Sequence, residues 1–161
     1  MPRLFFLARL ALAALLLGLA AGAHAQTPQQ PYGGARATRA HYGVVFQLDA
    51  GSQGAIRKTL NNIDNLLHDP RLKGHVRIEL VANAQGFAVY VKNNGFEQRL
   101  RALQAQGVIL AQCANTLREM HVDRKDLYSF ISIVPSGMGE IALRESQGWA
   151  YIHPTPPDAS M

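Results

Sequence analysis

The chain has 161 residues and a single cysteine, with 48% hydrophobic and 17% charged residues. One cysteine cannot close a disulfide within the chain, nor can it supply a cysteine-rich zinc or iron–sulfur ligand set. The apolar content is sufficient for a core, which argues against a disordered chain, and the length suits one domain.

Residues 1–25 read as a secretory signal peptide. Arg3 and Arg9 give a positive start, Leu10–Ala23 is uncharged and rich in Leu and Ala, and Ala23-His24-Ala25 has the small-x-small pattern of a cleavage site. A retained membrane anchor is the competing reading, but the uncharged run falls short of the ~20 residues that span a bilayer. Cleavage before Gln26 leaves no stable membrane insertion and sends the protein to the periplasm or outside the cell. Residues 1–25 carry two basic and no acidic side chains, so their removal takes the net charge from +5 to +3. The remaining basic residues are scattered among acids, which gives no nucleic-acid footprint.

Residues 26–42, built of Gln, Pro, Gly, Ala and Arg without an apolar period, read as a flexible leader. From residue 43 to 154 strand-length apolar runs alternate with helix-period segments. Val44–Leu48 is β-branched and aromatic, and predicts the first strand. Asp49-Ala50-Gly51-Ser52 turns the chain, with Ser52 as a helix cap. Ile56, Leu60, Ile63 and Leu67 then form one helical stripe, broken by Asp69-Pro70 and Gly74.

Val76–Ala82 predicts the second strand and Asn83–Gly86 a loop. Phe87–Val91 suits either a short helix or a strand. Phe96, Leu100 and Leu103 mark a helix stopped by Gly107. Val108–Ala111 is the third strand, Cys113 stands at the corner after it, and Ala114–Met120 is the next helix. Leu127–Phe130 can add a turn before the fourth strand, Ile131–Val134. Pro135-Ser136-Gly137 leads into a helix carrying Met138 and Ile141 and ended by Gly148. Trp149–Ile152 is the fifth strand, and residues 155–161 form a proline-containing tail.

This alternation predicts an α/β domain with a mainly parallel five-stranded sheet and helices on both faces, because parallel neighbours need crossover connections. Ligands of such sheets sit beyond the carboxyl ends of the strands. Those ends are Asp49–Ser52, Asn83–Gly86, Gln112–Asn115 and Pro135–Met138.

Familiar cofactor motifs are missing. Arg57-Lys58-Thr59 lacks the glycine-rich cradle of a phosphate loop, the first strand-to-helix turn has no G-x-G-x-x-G, and no G-x-S-x-G elbow occurs. His41, His68, His75, His121 and His153 are too widely spaced to pair on one helix, so neither a metal nor another cofactor is expected.

Cys113 has the most chemical content. At a helix start, free N–H groups and the helix dipole favour a thiolate, which can accept a sulfane sulfur, attack a disulfide or be oxidised. Asn115 could add a side-chain hydrogen bond. The residue could equally be a small buried group filling a strand–helix corner.

The segment Gly107-Val108-Ile109-Leu110-Ala111-Gln112-Cys113-Ala114-Asn115-Thr116-Leu117 resembles the surroundings of the sulfur-binding cysteine in the DsrE/DsrF-like family. Val44–Asp49, Leu60–Leu67, Val134–Ile141 and Gly148–Pro154 are similar to that family too, so the likeness covers about residues 43–154. It implies a three-layer α/β/α fold of the flavodoxin/Rossmann-like kind and a trimer or hexamer. It also implies a persulfide on Cys113, exchanged with a sulfur-donor or acceptor protein. The alternative is a non-catalytic oligomeric module that binds a ligand or partner, with a structural cysteine. Gly51, Asn83, Gln85 and Ser136 would line the site in either case, and each also suits a turn or a cap. Among Phe87, Tyr90, Trp149 and Tyr151, any left exposed would suggest a subunit interface.

Overall fold

The computed structural model describes residues 31–154, so the signal-peptide reading of residues 1–25, the start of the leader and the tail at 155–161 lie outside the described residues. Five strands form the sheet: β1 (Tyr42–Leu48), β2 (Val76–Ala82), β3 (Ile109–Cys113), β4 (Ser132–Val134) and β5 (Ala150–Ile152). Four helices connect or flank them: α1 (Gln53–His68), α2 (Glu97–Ala105), α3 (Ala114–Glu119) and α4 (Gly137–Ser146). The strand order is β4-β3-β2-β1-β5, and every pair is parallel. The expected α/β sheet is therefore present, and it is parallel throughout.

The two faces of the sheet are unequal. One face packs the apolar stripe of α1 (Ile56, Leu60, Ile63) and Leu100 and Leu103 of α2 against Phe46, Leu80 and Leu110. The opposite face buries a smaller cluster, Val45, Val81, Ala111 and Ile141, with Trp149 and Val134 packed on it. Here α4 supplies the helical cover.

This asymmetry follows from the connections. From β1 to β4 the chain advances along the sheet in one direction, with its helices on the thick face. The last crossover reverses direction to set β5 beside β1. A right-handed crossover that reverses direction must place its helix on the opposite face. The reversal creates a switch point between β1 and β5, where Asp49 Oδ1 and His153 Nε2 meet at 2.9 Å.

Several local boundaries differ from the sequence reading. Strand β1 takes in Tyr42, the last leader residue, whose N–H donates to His75 O. Residues 84–90 form a 3₁₀ helix, resolving the ambiguous stretch that begins at Phe87. The expected turn within Leu127–Phe130 is present at Ser129 and Phe130, and a 3₁₀ turn at Arg124–Asp126, capped by Asp123, precedes it. Strand β3 runs on through Gln112 and Cys113, because both still pair with β4.

Candidate functional site

Residues alternate between faces along each strand, and β1, β2 and β3 end level with one another. Leu48 pairs with Ala82, and Ala82 with Gln112. Cys113 is the next residue of β3, so it lies level with Asn83 just past β2. Both are on the thin face, in line with Ala111 and Val81. The same face carries Gln47 at the end of β1 and Tyr151 on β5, because Tyr151 pairs with Val45. The carboxyl edge of this face is thus a row across four strands: Cys113, Asn83, Gln47, Tyr151.

Cys113 is 5% exposed and forms the N-cap of α3. Its surroundings are polar at the sulfur. Burial is the largest influence on the thiol and raises its pKa, but it is outweighed by hydrogen-bond donors that favour the anion. These are the N–H groups of Thr116 and Gly137, the Thr116 hydroxyl and the Asn115 N–H, and together they hold the thiol below its ordinary value. No N–H reaches capping geometry on the neutral thiol.

Two residues build this cradle in ways the sequence reading did not single out. Thr116 is buried, and its Oγ1 accepts the N–H of Ala84 at 3.0 Å. With its lone pair so engaged, the hydroxyl hydrogen is available to the sulfur. Gly137 opens α4, after Ser136 caps that helix by accepting the Gly139 N–H at 3.2 Å. A Cβ on Gly137 would lie 3.2 Å from Cys113 Cβ, 3.3 Å from Val81 Cγ1 and 3.4 Å from Asn83 Cβ. Only the absence of a side chain lets the start of α4 approach the sulfur this closely.

The other candidates divide by role. Asn83 belongs to the row, with its Oδ1 accepting from Gln47 Nε2 at 3.0 Å. Asn115 contributes its backbone N–H rather than its side chain, which corrects the sequence reading: its Oδ1 accepts from Arg118 at 3.0 Å. Ser136 is a cap that presents Gly137. Gly51 and Gln85 meet each other instead of the cysteine, since a Cβ on Gly51 would lie 2.5 Å from the Gln85 carbonyl oxygen. The Gln85 side chain is exposed. These two residues lock the turn after β1 against the 3₁₀ helix.

Gln47 carried a readable signal, a lone amide inside the apolar run Val44–Leu48. Thr116 carried only its position three residues beyond a possible cap. Of the aromatics, Tyr90 is fully buried with its hydroxyl donating to Leu80 O at 3.0 Å, whereas Tyr151 is 40% exposed.

Among the described residues no three His, Cys, Asp or Glu side chains group to hold a metal ion, and no helix is long and apolar enough to cross a membrane. Fold and edge together define a parallel α/β/α domain with one thiol set among backbone donors at the carboxyl end of its sheet. No family model and no curated protein matches the chain. A solved structure does: the protein of unknown function MTH1491 from Methanobacterium thermoautotrophicum is 36% identical, with a TM-score of 0.65. The match covers 70% of this chain and 99% of that one. The chain belongs to the same family as that protein.

Proposed function

We propose that this is an exported DsrE/DsrF-like protein that binds or transfers sulfane sulfur as a persulfide on Cys113. The observation that carries the reading is the place of the chain's one thiol at the N-cap of α3 and against the start of α4, where a Cβ on Gly137 would lie 3.2 Å from Cys113 Cβ and the helix starts offer free N–H donors. Such donors stabilise S⁻ and equally the terminal sulfur of S–S⁻. With thiosulfate as donor, the Cys113 thiolate attacks the outer sulfur. A sulfur–sulfur bond forms on the protein, the bond to the sulfonate sulfur breaks, and sulfite leaves with the electron pair. A second thiol then removes the sulfur, which suits a chain with one cysteine and a partner protein.

The periplasmic or secreted location rests on the sequence of residues 1–25. A homo-oligomer, trimer or hexamer, is supported by exposed apolar side chains on and beside the thin face: Met138 and Leu143 of α4 and Tyr151 of β5. The low exposure of Cys113 favours the second reading, a non-catalytic oligomeric module with a structural cysteine.

Incubation of the folded protein with thiosulfate or polysulfide, followed by intact mass, separates the two. The sulfur reading expects a gain of one sulfur atom that a reductant removes and that Cys113→Ser abolishes. An unshifted mass, in protein whose Cys113 alkylates normally, would overturn it. A Cys113→Ser variant that keeps every partner and ligand interaction would favour the module.

A further inference from the structure

Two short stretches of the chain carry basic side chains and no acid. Residues 31–43 hold Arg36, Arg39 and His41, and residues 70–77 hold Arg71, Lys73, His75 and Arg77. In the sequence β1 and α1 stand between them. The fold brings them together at the amino edge of the sheet, because β1 and β2 begin level with one another: Tyr42 pairs with Val76 and Gly43 with Arg77. The Tyr42 N–H donates to His75 O at 2.8 Å, and His75 Nδ1 lies 3.0 Å from Ala40 O. The His41 and His75 rings stand 6.5 Å apart. The Tyr42 hydroxyl accepts the N–H groups of Thr38 and Arg39 at 2.6 and 2.9 Å, which fixes the path of the chain into the strand.

Arg36, Arg39, Lys73 and Arg77 are exposed, and none of them makes an ion pair among the described residues. Elsewhere the cations are matched: Arg71, Arg99, Arg101, Lys125 and Arg144 each meet a carboxylate. Of the acids toward this edge, Asp69 is held by Arg71, and Glu145 lies in the last turn of α4. Four unmatched cations gathered in one place create a local positive field that the modest net charge of the chain conceals. Trp149 borders them, with its ring centroid 6.0 Å from the Arg77 guanidinium.

We propose that the amino edge of the sheet at β1 and β2 is a docking surface for an anionic membrane, held there by Arg36, Arg39, Lys73 and Arg77. Charge complementarity selects an anionic partner, and two observations favour a lipid surface over an acidic protein or a nucleic acid. The stretch that enters the fold at this edge follows residues 1–25, whose sequence reads as a segment directed to the membrane. Arginine and lysine heads beside an indole are also the composition that suits a membrane–water interface. The attachment is peripheral and electrostatic, without insertion. It uses nothing of Cys113 and goes beyond the sulfur reading, so either can fail without the other.

The test is sedimentation of the full chain, as recovered from the cells that make it, with vesicles of two compositions. One holds equal parts phosphatidylcholine and phosphatidylglycerol, and the other phosphatidylcholine alone. Binding is expected on the anionic vesicles only, and it should fall as added salt shortens the screening length. Each of Arg36→Gln, Arg39→Gln, Lys73→Gln and Arg77→Gln should lower the partition about fivefold, and the four together should abolish it. Arg57→Gln with Lys58→Gln removes two exposed cations from the first half of α1, and this variant should bind almost as the wild type does. Thiosulfate loading of Cys113 should be the same in every variant. Equal binding to both vesicles would overturn the proposal, as would an equal loss in the α1 variant or undiminished binding by the correctly folded fourfold variant. Failure to bind the anionic vesicles would overturn it too, and retention on an acidic protein or a nucleic acid in that case would give this edge a different partner.

Discussion

The two faces of this sheet are built from the same five strands and serve different ends. On the thick face Phe46, Leu80 and Leu110 meet α1 and α2 in a large apolar cluster, with buried Gln112 at its carboxyl edge. On the thin face the apolar cluster is small, and polar groups are spaced along it: Glu79, Gln47, Asn83 and Cys113. A buried polar group costs stability, so a domain can carry several only where another region supplies the core. The thick face holds the fold, which leaves room for polar groups at the carboxyl edge of the thin face.

Substitutions on the two faces should therefore separate stability from thiol reactivity. The largest effect on folding is expected at Leu80, which is fully buried on the thick face. Leu80→Ala should cost about 3 to 4 kcal/mol in denaturant unfolding. The alkylation midpoint of Cys113 in the protein that remains folded should not move, and a moved midpoint would mean that the faces are not independent.

The next effect belongs to Arg144. Its Nε lies 2.5 Å from Glu79 Oε2 and 3.1 Å from Glu140 Oε1, and its guanidinium stacks 4.5 Å from the Trp149 ring centroid. Glu79 is 1% exposed, and burial raises its pKa above 4.5 despite the opposing pull of Arg144. Arg144→Met leaves that carboxylate without its cation and should cost about 3 kcal/mol near neutral pH.

The pH dependence follows from the direction of the shift. A carboxyl whose folded pKa is raised binds its proton more firmly in the folded state. Its contribution is present below pH 4.5 and is lost as pH rises through the folded value. Removing Arg144 raises that value further, so the variant should approach the wild type in acid and fall behind toward neutrality. Unfolding measured across this range checks the sign, and a deficit that grows toward acid would refute it.

Gly137→Ala is the smallest perturbation and the most local. The added methyl crowds Cys113 Cβ and Val81 Cγ1 at 3.2 and 3.3 Å. It should cost about 1 to 2 kcal/mol, as overpacking does. It should also slow alkylation below the midpoint by moving the first N–H of α4 away from the sulfur. Slowed alkylation with little loss of stability would sharpen the contrast between the faces.

The thick face was legible in the sequence because repetition marks it. Ile56, Leu60 and Ile63 recur at helical spacing, and Val44–Leu48 and Val76–Ala82 are strand-like runs between turn residues. The candidate site was legible only in part. Cys113 and Asn83 stand at strand ends, where turn chemistry draws the eye, and Ser136 has the form of a cap. The rest depends on register and on the order of strands. Tyr151 is 104 residues from Gln47 in the chain, and they meet because β5 returns beside β1. Gly137 meets Cys113 because β4 ends level with β3. Neither placement leaves a local pattern. Gly51 and Gln85 share the composition of a lining loop, but backbone-to-backbone packing explains them.

The account turns on the thiol of Cys113 being held as an anion by N–H and hydroxyl donors. The most direct test is the rate of Cys113 alkylation against pH on the folded wild-type protein. The account predicts a titration midpoint well below the ~8.5 of a free thiol. A midpoint at or above that value would contradict it, showing that burial outweighs the donors.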